Sequence, residues 1–440
     1  MTPLSIAFVA DYFCAWMGGA NILGFMLNCA QRAAPVQNVR IHLLLSARTL
    51  PAAAQAQIDD FLPLRADQLR ADGPLAALID TARPELLIFY KDLERTLDAL
   101  QIDVVGPTGM DLGRLGGRPW FAYIPDFQHQ HLHQFFSQDE RFGRDRLFRA
   151  LVENSVGVFV NSATVASDIQ QLYPSAARNA RILRIPQLLP RVDYALPDGI
   201  DALRARHRVR SRYILSCSQR WLHKQHDRII EAFARVADEQ PDLDLVFTGD
   251  TAETRDPQHG ARIEALIDAR GLRARVRYLG MIARDEQLAL IDHAQLLVQA
   301  SLFEGGPGAS GTLEAALLGT PIVASDIGPN RELYFATARF FDAGSSEALA
   351  QQIRQSLAAQ AAGGNLRTPP FDAEQIEFLA TACGIQLLAA MRAAAASAGL
   401  TRQAQRAEAT AALATSAAPA TSASATPAAA AKVAAATQLA

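Results

Sequence analysis

Short, unbroken apolar runs recur along the chain at Ser5–Val9, Ile41–Leu45, Leu86–Tyr90, Val104–Val105, Trp120–Ile124, Val156–Val160 and Ile182–Ile185, then at Tyr213–Cys217, Leu245–Phe247, Val276–Leu279, Leu296–Val298 and Ile322–Ala324. Runs of this length without polar alternation predict strands covered on both faces, as in a parallel sheet. Most of the stretches between them carry helical spacing: an apolar pattern through Asn21–Gln31, the set Ile229, Ile230, Phe233 and Val236, a helix over Asp285–His293, and a short one over Leu313–Leu318 stopped by Gly319 and Pro321. Such alternation predicts βαβ units and an α/β fold of doubly wound sheets. Around Pro190–Tyr213 the periodicity is lost and the chain turns basic (RARHRVRSR). A linker at 191–212 therefore separates a first Rossmann-like domain, 1–190, from a second, 213–370. A long apolar-patterned helix follows at 371–395, and from 396 to 440 the composition collapses to Ala, Ser, Thr and Pro, which predicts a disordered low-complexity tail.

A chain of 440 residues, 50% hydrophobic, exceeds what one core usually holds. A formal net charge of -3 gives no basic excess, so nucleic acid is not an expected partner. Cys14, Cys29, Cys217 and Cys383 lie scattered with no CxxC pair, which predicts buried thiols in a reducing compartment and neither a zinc site nor a disulfide framework. The opening MTPLSIAFVADYF lacks the basic start and cleavage site of a signal peptide and reads as a first strand. No apolar run is expected to reach the roughly 18–20 residues of a membrane span. A cytoplasmic protein is expected, soluble or peripheral at the cytoplasmic face of the inner membrane.

Candidate chemistry clusters where strands end. Ser301–Glu332 (SLFEGGPGASGTLEAALLGTPIVASDIGPNRE) runs through a glycine-rich turn with Gly305, Gly306, Gly308 and Gly311, then a helix, then a strand. That unit turns backbone N–H groups and a positive helix end toward a phosphate. Glu304 and Glu314 bracket the loop. Glu314 also has a structural reading, because the helix dipole favours an acid in a first turn by about 0.3–1 kcal/mol. A similar junction follows the first strand at Gly18-Gly19, where close helix packing is the alternative reading. The strand-to-helix loop SQRWLHKQH carries Lys224, whose compact ammonium can sit on a diphosphate. Charge-assisted hydrogen bonds of that kind are worth about 1.5–3 kcal/mol. The turns at Gly249 and Gly280-Met281 lie on the same expected ligand edge.

Phe121–Phe136 (FAYIPDFQHQHLHQFF) also follows a strand and carries Asp126, Gln128, His129, His131 and His133. Alternate histidines without a cysteine partner do not fix a tetrahedral metal site; packed or solvated histidines are the simpler reading. Glu140–Arg149 (ERFGRDRLFR) reads as a solvated helix face, with contact to anionic lipid head groups or a lipid diphosphate as the second reading.

The Glu304 loop with the following G-T-P-I-V-A-S-D resembles the donor-binding signature of retaining GT-B glycosyltransferases of family four, E-G-x-x-x-x-x-x-E and then A-x-x-x-G-x-P-V-V-A-S. Here the two glutamates stand ten apart in sequence, two more than is usual in the family. SQRWLHKQH resembles N-Q-F-W-x-H-K-N-H of a subgroup, and P-D-F-Q-H followed by F-F-S resembles the cleft motif of one acting on bacterial surface polysaccharides. The resemblance implies GT-B architecture, two Rossmann-like domains facing across a cleft, with the helix at 371–395 crossing back to the first. It implies that Glu304 holds sugar hydroxyls and Glu314 the nucleotide ribose. Lys224, with the amides of Gly305 and Gly306 and the helix start near Thr312, would stabilise the departing diphosphate. Gly18 and Gly19 would approach the donor from across the cleft, and Gly249 and Met281 would flank it on the nucleotide side. Where the family has an arginine, this chain has Gln219; either Arg220 beside it compensates or Lys224 acts alone. On the acceptor side Asp126, Gln128 and His129 would lie near the reacting carbon, with His131 a competing candidate.

The implied activity is transfer of a hexose-type sugar from a nucleotide-diphospho-sugar to a hydroxyl of a glycan or lipid-linked acceptor, with retention of configuration, in bacterial polysaccharide or O-antigen synthesis. The sequence has no convincing D-x-D motif, so neither a metal nor a cofactor beyond the nucleotide-sugar co-substrate is required. Two rivals stay open: a nucleotide-sugar epimerase of the same architecture, and a degenerate nucleotide-sugar-binding protein without transfer, for which the lengthened loop and Gln219 speak.

Overall fold

The computed structural model describes residues 3–50, 52–56, 58–69, 71–178, 181–185, 192–307, 309–333 and 338–416. The first lobe is built on eight strands: β1 (Leu4–Val9), β2 (Val39–Ser46), β3 (Phe61–Arg65), β4 (Leu86–Tyr90), β5 (Val104–Thr108), β6 (Trp120–Tyr123), β7 (Gly157–Val160) and β8 (Ile182–Arg184). They lie side by side in the order β3-β4-β2-β1-β5-β6-β7-β8. The second lobe is built on six: β9 (Arg212–Cys217), β10 (Leu243–Thr248), β11 (Val276–Tyr278), β12 (Leu296–Gln299), β13 (Ile322–Ser325) and β14 (Ala338–Phe341), in the order β11-β10-β9-β12-β13-β14. All pairings are parallel except that of β3 with β4. The apolar runs form the strand interiors, with Ile6 to Val9 and Tyr213 to Leu215 fully buried between helical layers.

Each sheet begins in its middle and reverses direction, between β1 and β5 in one and between β9 and β12 in the other. A doubly wound sheet opens a crevice at the carboxyl ends of its strands at that reversal. The Gly18 junction leaves β1, the Lys224 loop leaves β9 and the Glu304 loop leaves β12, so chain topology alone brings these loops to the reversal points.

Two strands escape the apolar pattern, and both are sheet edges. β3 contains Pro63, which lacks the N–H an interior strand needs, and β14 is only partly buried before Phe341. The linker expected at 191–212 is not bare chain: Gly199–His207 is a helix, with Leu203 and nearby Val209 buried in the second lobe's core. The terminal helix runs Ala373–Ser416, past the expected end at 395 and into the alanine-rich segment, where helix-forming residues prolong it. Residues 417–440 lie outside the described residues.

That helix returns to the first lobe, where Ala380, Cys383, Leu387, Leu388 and Met391 join the core beside Met17–Gln37. Burying each Leu or Met side chain contributes about 1.5–3 kcal/mol. A Cβ on Gly384 would overlap the carbonyl oxygen of Cys29, so the two helices meet there backbone to backbone. Cys29 and Cys383, far apart in sequence, hydrogen-bond through their sulfurs at this crossing. Contrary to the expectation from the sequence, Ala373–Ser397 is long and apolar enough to cross a membrane by length and composition.

Candidate functional site

A cavity of about 720 Å³ separates the lobes at the reversal points. Its second-lobe wall is organised by the turn after β9. Leu222–Lys224 forms a single 3-10 turn and Gln225 takes a left-handed conformation (φ 52°), which breaks the turn from the amphipathic helix His226–Ala237. The Lys224 side chain is thereby aimed at the end of β12. Its Nζ donates to Glu304 Oε1 at 2.5 Å, with both side chains about nine-tenths buried. The same oxygen accepts from Gln299 Nε2 at 2.9 Å and Ser301 Oγ at 2.5 Å. Gln299 is in turn fixed by Asn330 Nδ2 at 2.8 Å. Three donors on Oε1 orient the carboxylate, and among the described residues none donates to Oε2. Among the described residues Glu304 is the one acceptor of the Lys224 ammonium, which leaves donor capacity for an anion.

The glycine loop beyond Glu304 is where the lobes touch. A Cβ on Gly305 would overlap the Pro125 carbonyl oxygen, and one on Gly306 would meet Asn161 Cβ at 2.8 Å. Ser162 Oγ donates to the Gly305 carbonyl at 2.9 Å. Below it, Glu332 of the second lobe accepts from the Ala163 backbone N–H at 3.0 Å, at the start of the first-lobe helix Ala163–Leu172. His131 stacks on Phe303 at 4.8 Å between ring centres.

Not every candidate reaches the cavity. Gln219, Gly249, Met281, Gly305 and Gly306 line it, as do Gly18, Asp126 and Gln128. Gly249 has φ 122°, a conformation open to glycine, and a Cβ there would meet the Ser218 carbonyl oxygen at 2.6 Å. Arg220 does not compensate for Gln219. Its guanidinium turns away, donating to Thr251 O at 3.1 Å and lying over the Tyr278 ring. Glu314 and Thr312 are buried behind the loop, and Glu314 pairs with Arg284 Nη1 at 2.5 Å instead of facing the cavity. Gly18 and Gly19 carry the Trp16 indole folded back upon them; Gly18 and Trp16 line the cavity, and Gly19 does not.

On the acceptor side Asp126 pairs with Arg144 at 2.9 Å and accepts the Gln128 N–H at 3.0 Å. His129, expected near the reacting carbon, is fully buried: Nε2 faces Asp145 at 2.9 Å and the ring stacks with Phe127. Burial pushes its pKa below the ordinary value despite the Asp145 contact. His131 is held by Asp168 at 3.0 Å and likewise does not line the cavity. Phe127 and Phe148 cover His129, whereas His131 is exposed and is drawn aside by Asp168 and Phe303.

The structure adds residues that the sequence analysis missed. Arg255, in the loop after β10, lines the cavity and is gripped by Glu253 through Nε at 2.9 Å and Nη2 at 2.8 Å. Glu253 also accepts the Leu222 N–H at 3.0 Å, tying Arg255 to the Lys224 turn. Burial pushes the Glu253 carboxyl up, but these donors outweigh it and hold it below the usual range. His223 lines the cavity at 3% exposure, and burial, with Lys224 and Arg255 nearby, drives its pKa well below 6.5.

Two Rossmann-like lobes, facing sheets and a returning terminal helix define the GT-B fold. Residues 201–368, spanning most of the second lobe, match the model of the family glycosyl transferases group 1. No curated protein matches the sequence. Among solved structures the chain is similar to HepE from Anabaena in complex with UDP-glucose, at 18% identity and a TM-score of 0.58, covering 91% of this chain and 100% of that one. It is similar to the sucrose-phosphate synthase from Thermosynechococcus elongatus, at 18% identity and a TM-score of 0.55, covering 92% and 100%. It is also similar to WaaG, a glycosyltransferase involved in lipopolysaccharide biosynthesis, at 19% identity and a TM-score of 0.51, covering 87% and 93%.

Proposed function

We propose that the protein is a metal-independent, retaining glycosyltransferase of family four that moves a hexose-type sugar from a nucleotide-diphospho-sugar to a hydroxyl of a glycan or lipid-linked acceptor. The observation that carries this reading is the Lys224–Glu304 couple beside the Gly305-Gly306 amides, at the reversal point of one sheet and facing the other lobe. The group 1 match over 201–368 supports it, since this couple lies within the matched segment.

In this reading the second lobe takes the donor and the first the acceptor. The acceptor oxygen approaches the sugar C1 from the face the diphosphate leaves and bonds to it as the C1–O bond to the diphosphate breaks, so configuration is kept and that bond's electron pair leaves with the nucleoside diphosphate. Lys224 and the loop amides meet the growing negative charge as preorganised groups that need no reorientation during the reaction. Glu304 holds sugar hydroxyls through its free oxygen. Asp126, the first-lobe carboxylate lining the cavity, takes the acceptor proton. Glu314, sealed behind the loop, keeps a ribose role only if the loop moves on binding.

HepE was solved with UDP-glucose and WaaG acts in lipopolysaccharide biosynthesis. On those grounds uridine diphosphate sugars are the first donors to test, and bacterial surface polysaccharide the first pathway, at the cytoplasmic face of the inner membrane. The protein is incubated with labelled UDP-, GDP-, ADP- and dTDP-sugars, with and without lipid-linked acceptor. Acceptor-dependent release of nucleoside diphosphate is expected. Isomerised donor without acceptor would replace the proposal with an epimerase, and binding without turnover with a sensor.

A further inference from the structure

We infer that Arg255 is a second diphosphate-binding cation of the cleft, acting with Lys224 on the two phosphates of the donor. The inference rests on the donor reading above. Each phosphate of a nucleotide-diphospho-sugar carries a negative charge, and one ammonium matches only one of them. Among the second-lobe residues that line the cavity, Lys224 and Arg255 are the two cations. Gln219 is neutral, and Arg220 points away onto Thr251 O and the Tyr278 ring. Arg144 also lines the cavity, but from the first lobe, where it pairs with Asp126 at 2.9 Å on the acceptor side.

Arg255 is built to present its guanidinium. Glu253, its side chain 2% exposed, takes Nε and Nη2 side by side. Nη1 has no acceptor among the described residues, so two of its N–H groups stay available. The same carboxylate holds the Leu222 N–H at 3.0 Å, fixing the position of Arg255 relative to the turn that carries Lys224. From the first lobe, Phe136 lies over Arg255, with the guanidinium carbon 5.6 Å from the ring centre, and shields it from bulk water. A planar fork locked on one edge and open on the other suits bidentate contact with a phosphate.

The test is titration calorimetry with UDP, GDP, ADP and dTDP, alongside the phosphate-free nucleoside of whichever binds, followed by saturation-transfer NMR. Arg255→Met is expected to weaken diphosphate binding about ten- to a hundredfold while nucleoside binding is unchanged. Because that variant strands the Glu253 carboxylate, Glu253→Gln/Arg255→Met is measured beside it. The double variant is expected to regain melting temperature but not diphosphate affinity. Unchanged diphosphate binding in Arg255→Met, equal loss for nucleoside and diphosphate, or restored affinity in the double variant overturns the inference. If the wild-type protein binds none of the four diphosphates, the donor reading itself fails and takes this inference with it.

Discussion

Replacing Lys224 by Met separates its structural and chemical roles. The Lys224 and Glu304 side chains are only 10% and 11% exposed and meet at 2.5 Å. Removing one partner of a buried ion pair costs about 3–5 kcal/mol, because the other charge is stranded. Here Gln299 and Ser301 still donate to the stranded oxygen, which sets the expectation near the lower end, about 3 kcal/mol. The loss in turnover has a different origin: a preorganised donor aimed at developing charge is worth about 10²–10³ in kcat. Thermal melting and coupled release of nucleoside diphosphate measure the two separately. Lys224→Met/Glu304→Gln removes the stranded charge, so its melting temperature should recover while its turnover stays low. A folded Lys224→Met enzyme with more than about a tenth of wild-type kcat would refute the electrostatic role, since the loss is then far below that expected of such a donor.

Gly305→Ala places a methyl against the Pro125 carbonyl and should spread the lobes, cutting kcat strongly while each lobe stays folded; full activity would show that closure at this loop is not needed. Glu332→Ala removes the acceptor of the Ala163 N–H, while Ser162 still caps Ala163–Leu172, and should enlarge the radius of gyration in small-angle scattering if this contact holds the lobes together. His226, buried against Phe247, has its pKa pushed down to about 3, so the folded protein keeps it neutral. Unfolded chain takes up that proton as pH falls below the ordinary 6.5, so stability is complete above 6.5 and is lost between there and about 3. His226→Gln should lower the melting temperature at neutral pH and flatten its decline toward pH 5; an unchanged slope would assign the acid sensitivity to other groups.

The interior strands were legible because a strand covered on both faces must be apolar throughout, and β1, β4, β9 and β12 announce themselves that way. β3 and β14 were not: β3 is broken by Pro63 and only partly buried, and β14 is partly buried up to Phe341. Helix Gly199–His207 hid behind its arginines because it buries little beyond Leu203. Lys224 and Glu304 were legible from position, each leaving a strand at a reversal point. His129 and Glu314 were placed in the cleft by resemblance, which carries no depth: Phe127 and Phe148 cover one and Arg284 seals the other. Arg255 went unread because a lone arginine in a polar loop looks like any surface charge until Glu253 is seen holding it inward.

A crystal structure with the nucleoside diphosphate or nucleotide sugar that most raises the melting temperature tests the central proposal most directly. The account predicts phosphate oxygens within about 3 Å of Lys224 Nζ and of the Gly305-Gly306 amides, with the sugar against Glu304 Oε2. Nucleotide seated outside the cleft, or inside it with its phosphates turned away from Lys224, would contradict it.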